Sequence, residues 1–308
     1  MSLSNDNFLV LLNFKQQLKR WKLFALLLVL IVIFVLSISN KKQNTSSLNI
    51  SKECIVSIDI NGIILADKYR EKILKKITHE KLIKAVIVNI DSPGGTVADS
   101  EILYSRLRDI AVKKPVVVLM GNVAASGGYM VSLASDYIIA RNGTLTGSIG
   151  VILQSAEVTE LAKRMGINFV TYKSSELKGS PSPFEKTNSK VDKAIMSSIN
   201  DVQNFFMELV VERRKIDKNK ITKIANGQVY TGRQALKHSL VDKIGNENDA
   251  LIYLKSRGIN ISKLKIKEVS LEKKKDFGLL GDVLSSVFPF SKQKVSFMSS
   301  GFMLLHKF

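Results

Sequence analysis

Cysteine occurs once in the 308 residues, at Cys54. No intramolecular disulfide can therefore form. One thiol fits any redox compartment, and Cys54 reads as buried and inert. Histidine is almost as scarce. His79, His238 and His306 lie far apart, and no Cys/His spacing suggests a zinc site. No Ser, His, Asp order of a histidine-based triad stands out either. Acidic residues number 27 against 46 basic ones, a formal net charge of +19. The lysines are scattered, and no basic motif is interleaved with aromatics. That argues against nucleic acid as a partner and leaves some affinity for membrane surfaces. No repeat of fixed period is present.

One long apolar run does occur. "WKLFALLLVLIVIFVLSISN" carries no charge from Leu23 to Ile38, and with its flanks it approaches the ~20 residues that cross a bilayer. Lys15, Lys19, Arg20 and Lys22 precede it, with Trp21 at the boundary. The positive-inside rule then keeps the N-terminus cytoplasmic, although Lys41 and Lys42 weaken the contrast. A cleaved signal peptide is the competing reading. The long charged leader and the lack of a clean small-x-small site stand against it. The sequence thus divides into a basic leader (1–22), a transmembrane anchor (23–39), a polar linker (40–53), a main domain (54–256) and a basic, then apolar, tail (257–308). The tail is too broken to span a membrane and reads as a packing, subunit or membrane-surface segment.

From Cys54 onward strand and helix patterns alternate. "CIVSIDI", "KAVIVNI" and "PVVVLM" are strands, the second a β-branched run suited to burial on both faces. "YIIA", "TGSIGVI" and "INFVTYK" are further strand candidates. "TVADSEILYSRLRDIAVK", "EVTELAKRMG" and the stretch from Ser189 to Arg214 read as helices. Such alternation predicts an α/β domain with parallel strands and crossover helices.

Two glycine-rich turns follow successive strands in this domain. In "GNVAASGGYMVSLASD" a strand runs through small residues to Ser126 and on into a helix. Unpaired N–H groups at a helix start can hold an oxyanion. Ala124 and Ala125 leave room for a substrate backbone, and Gly127 and Gly128 allow a sharp turn. A helix-capping serine with close-packed glycines is the plainer alternative. In "DSPGG", Gly94 and Gly95 offer exposed N–H groups, one of which could face Gly127 across an oxyanion. Parallel strands would put both turns at one end of the sheet, where α/β active sites form.

The stretches "VIVNIDSPGGTVADSE", "GNVAASGGYMVSLASD", "TGSIGVI" and "GQVYTGRQALKHSLVDKIGNENDA", in this order between about Ile55 and Tyr253, resemble the signal peptide peptidase A family of serine proteases. The resemblance implies a crotonase/ClpP-like fold and a serine–lysine dyad, with no cofactor and no metal. It makes Ser126 the nucleophile. It makes Lys178, in "SSELKGSPSP", the general base, where Lys173 lies nearby as a decoy. A lysine acts as a base near neutrality only once burial disfavours its charged form. Gly94 and Gly127 are the expected oxyanion donors. Gly95 and Ser148 are expected to line the substrate groove, with Ser148 assisting Lys178 or serving only in a buried strand. Leu177 stands where the family commonly has an aromatic residue, and Ser239 where it commonly has glycine. The implied protein is a single-pass protease of the bacterial cytoplasmic membrane, its catalytic domain on the periplasmic side. It would degrade cleaved signal peptides and other apolar peptides as a homo-oligomer with shared active sites. A stomatin-associated membrane protease of the same fold and a crotonase-type acyl-CoA enzyme are the alternatives.

Overall fold

The computed structural model describes residues 17–27 and 50–272. Residues 17–27 form a helix, α1, with Trp21, Leu23, Phe24, Leu26 and Leu27 exposed. The expected span at 23–39 lies outside the described residues beyond Leu27. Among the described residues no helix is long and apolar enough to cross a membrane. Most of the 40–53 linker and the tail beyond 272 also lie outside them.

Residues 50–272 form an α/β unit built on a sheet with eight strands among the described residues. Strands β1 (Cys54–Asn61), β2 (Ile83–Ser92) and β3 (Val116–Ala125) lie at its centre. They alternate with helices α2 (Lys68–His79) and α3 (Val97–Ala111). The central strands pair in parallel, with Ile58 opposite Val88 and Val88 opposite Val118. Val56, Val86, Val88, Val117 and Val118 are completely buried. This is the double-sided burial that the β-branched runs require.

After β3 come α4 (Gly127–Ser132), β4 (Tyr137–Ala140), β5 (Leu145–Gly147), α5 (Thr159–Arg164), α6 (Ser189–Arg214) and α7 (Lys218–Ile224). Then follow β6 (Val229–Thr231), α8 (Gly232–Lys237), β7 (Lys243–Ile244), α9 (Glu247–Ser256) and β8 (Lys265–Glu268). The main path of the sheet runs β6-β5-β3-β2-β1-β8, and β4 branches from β3 to β7. Among the described residues only β5 and β6 pair antiparallel. The parallel α/β domain expected from the alternation is therefore present. Helix α6 covers the predicted stretch, with Asn188 capping its first turn through Lys190 and Val191 N–H. Strand β8 falls in the segment read as tail, yet it pairs with β1 from Cys54 to Ser57.

"INFVTYK" is not a strand. Residues 167–173 carry no strand assignment, and Phe169 instead lies against Phe184, with ring centroids 4.2 Å apart. β-Propensity makes a strand only where a partner edge is free to pair. "TGSIGVI" is a strand only over Leu145–Gly147, because the chain bends at Gly147 and Ser148, both at positive φ.

The turn after α8 explains the glycine that the family prefers there. Ser239 adopts φ 61°, while Leu240 N–H reaches back to Ala235 O at 2.8 Å. A side chain in this left-handed conformation costs about 1–2 kcal/mol. Ser239→Gly is therefore expected to stabilise the domain by about 1 kcal/mol, partly offset by unfolded-state entropy. Urea unfolding checks this, and an unchanged or lower midpoint would contradict it.

Candidate active site

Ser126 joins β3 to α4 at φ 54° and ψ −118°. This backbone conformation is costly for a residue with a side chain, at about 1–3 kcal/mol, and such strain concentrates at functional sites. Two backbone hydrogen bonds hold it. Ser126 N–H donates to Gly147 O on β5 at 2.8 Å, and Met130 N–H closes the first turn of α4 on Ser126 O at 2.9 Å. Alongside, Thr146 Oγ1 donates to Ala124 O at 2.6 Å. Although Ser126 occupies the position before α4, its hydroxyl caps nothing and makes no hydrogen bond among the described residues. The capping alternative therefore loses its support.

The two glycines after it serve a different purpose from the sharp turn expected. Ser126 itself carries the positive φ, and the glycines permit close approach. A Cβ on Gly127 would sit 2.3 Å from Ser100 Oγ and 3.1 Å from Gly95 N. A Cβ on Gly128 would sit 2.7 Å from Ser92 O. Helix α4 is thus pressed against the start of α3 and against the "DSPGG" turn.

In that turn Gly94 has φ 110°, and its N–H donates to Ser92 Oγ at 3.1 Å. The N–H expected to face an oxyanion is thus engaged within the turn in this structure. Gly95 is buried as well, but its N–H is the one of the two left without an acceptor among the described residues. Its neighbours are fixed by the extended segment after β1, because Ile64 N–H donates to Gly94 O at 2.9 Å and Thr96 N–H to Ile64 O at 3.2 Å. Among the described residues the N–H groups of Gly95 and Gly127 meet no acceptor. Ser148 follows Gly147 at φ 48°, nearly buried, with its N–H on Gln228 O at 2.8 Å. Ser126, Gly94, Gly95, Gly127 and Ser148 therefore gather where β2, β3 and β5 end.

Lys178 does not join them through any hydrogen bond. It is exposed, and its backbone N–H bonds Ser175 O at 3.1 Å. Lys173 is occupied: its amine ion-pairs with Glu185 and donates to Ser180 Oγ at 3.2 Å. A cleft of about 190 Å³ lies beside these groups, lined by Lys173, Glu176, Ser180, Glu185 and Asn188 among others. Its lining includes neither Ser126 nor the glycine turns.

Peptidase family S49 matches residues 108–259. A Methanocaldococcus jannaschii protein that bears a protease name is 37% identical over 214 residues, which cover 70% of this chain and 68% of that one. The chain belongs to peptidase family S49. It is a serine-type protease of that family. An Enterococcus faecium relative named as signal peptide peptidase SppA is 34% identical over 219 residues, 67% of this chain and 64% of its own. A solved membrane-bound stomatin-specific protease aligns over 71% of this chain and 99% of its own, at 16% identity and a TM-score of 0.46.

Within this S49 domain several supporting residues escaped the sequence reading. Tyr129, fully buried on α4, donates its hydroxyl to Leu240 O at 3.0 Å. Burial raises its phenol well above the ordinary range. Arg214 grips Asp242 through both carboxylate oxygens, at 2.8 and 3.0 Å. Asp242 in turn accepts from Ile138 N–H at 2.7 Å. The "LVDKIG" segment is thus the brace behind the serine helix. Arg213 and Arg108 hold the far end of α4 and the turn after it, through Leu133 O, Ser135 O and Ala134 O. Their signal in the sequence was weak, because arginine is common and each partner is a backbone carbonyl.

Proposed function

We propose that this chain is a membrane-anchored serine endopeptidase in which Ser126 is the nucleophile and Lys178 the general base. The observation that carries the reading is Ser126 itself: a buried serine in a strained conformation, its hydroxyl uncommitted, beside two unpaired N–H groups. Lys178 takes the Ser126 proton as Oγ attacks the scissile carbonyl. The N–H groups of Gly95 and Gly127 receive the negative oxygen of the tetrahedral intermediate. The intermediate collapses as the C–N bond breaks, and the Lys178 ammonium returns the proton to the leaving amine. Water, deprotonated by the same amine, then releases the acyl group. Ser148 lines the groove beside the serine and steadies Lys178.

A lysine ammonium becomes a base only when water is excluded from it, yet Lys178 is exposed in the single chain. The same segment exposes Leu161, Met165, Phe169, Val170 and Leu177. This number of exposed apolar side chains in one stretch of the sequence supports contact with another copy. We infer a homo-oligomer in which one subunit's Lys178 serves the next subunit's Ser126. The run at 23–39 anchors it, N-terminus in the cytoplasm and catalytic domain across the bacterial cytoplasmic membrane. Its substrates are released signal peptides and other apolar peptides, which fit a membrane location. The detergent-purified full chain, given synthetic signal peptides and a charged peptide of equal length, tests this. Mass spectrometry should find internal cleavage within the apolar segments of the signal peptides. Preferential cleavage of the charged peptide would overturn the substrate assignment.

A further inference from the structure

Ser92 is the last residue of β2 and is completely buried. Its hydroxyl makes two bonds in opposite directions. It donates to Gly62 O at 2.6 Å and accepts from Gly94 N–H at 3.1 Å. Its own carbonyl oxygen lies 2.7 Å from where a Gly128 Cβ would stand. One side chain therefore ties the segment after β1 to the glycine turn, while its backbone abuts the helix that follows Ser126. Two N–H groups compete to point out of that turn. Ser92 holds the first of them inward, and the second, that of Gly95, is left unpaired beside Gly127.

We propose that Ser92 is a positioning residue for the oxyanion site: its hydroxyl draws the Gly94 N–H into the domain and so aims the Gly95 N–H at the tetrahedral oxygen. The proposal rests on Gly95 and Gly127 as oxyanion donors. Without the hydroxyl, Gly62 O and Gly94 N–H lose a buried partner. The turn is then free to rotate, and a misaimed donor stabilises the transition state less while ground-state binding hardly changes.

The test uses Ser92→Ala in the full chain, with rates normalised by active-site titration. Loosening a donor rather than deleting it should lower kcat about 10- to 100-fold, with KM held within about twofold. Affinity for a peptide boronate, which becomes tetrahedral on Ser126, should fall in parallel with kcat. Affinity for a D-residue peptide that is bound but not cut should not change. Ser92→Cys, close in size and a weaker hydrogen-bonding group, should show the same split if the alanine variant does not fold. A purely structural role would instead lower the titre of active sites and leave kcat per site intact. That result overturns the proposal, as does equal weakening of both ligands. A wild-type enzyme that binds no boronate would sink the serine reading itself. Tight boronate binding unaltered in both variants would sink only the role of Ser92.

Discussion

Ser126→Ala is expected to lower peptide hydrolysis by at least about 10⁴-fold, because removal of the nucleophile leaves only binding and oxyanion stabilisation. The folded state should hardly notice. Alanine keeps the Cβ at this positive-φ position, and the lost hydroxyl makes no hydrogen bond among the described residues. The pairing of Ser126 N–H with Gly147 O and of Met130 N–H with Ser126 O involves backbone alone. Circular dichroism and urea unfolding should therefore match the unmodified chain while turnover vanishes. Residual activity of a few per cent would move the nucleophile elsewhere. A collapse of stability would mean that the hydroxyl braces the turn.

Lys178→Ala should be equally inactive, and Lys178→Arg should not rescue it, since a guanidinium remains protonated and cannot accept the serine proton. The second expectation separates a base from a mere positive charge that attracts substrate. Lys173→Ala is the control, because the Lys173 amine is already engaged by Glu185 and Ser180. It should cost far less than loss of Lys178. Mixing the Ser126→Ala and Lys178→Ala chains should restore part of the activity, through interfaces that pair an intact serine with an intact lysine. Demonstrably mixed oligomers without activity would place both residues in one subunit's site.

The two strand-to-helix turns could be read from sequence because each couples a buried apolar run to glycines, and that pattern is local. The long helix from Ser189 to Arg214 was equally plain. Which N–H of "DSPGG" is left unpaired could not be read in this way. The Gly94 N–H is taken by Ser92 Oγ, which itself donates to Gly62 O, a contact across 30 residues. The strained φ of Ser126 was also hidden. The flanking glycines drew attention as the flexible positions, whereas their task is to admit Ser92 O and Ser100 Oγ. "INFVTYK" failed for a related reason: its composition suits a strand, but pairing needs a free edge. Lys178 stood out only through resemblance to the family, because a lysine among so many carries no pattern of its own.

The central claim is that Ser126 is the acylated residue. Treating the detergent-purified full chain with a fluorophosphonate and mapping the adduct by tandem mass spectrometry tests it most directly. A single phosphonyl adduct on Ser126, formed in step with loss of peptidase activity and absent from Ser126→Ala, is the predicted result. An adduct on another serine that tracks the loss of activity, with Ser126 unmodified, would contradict it.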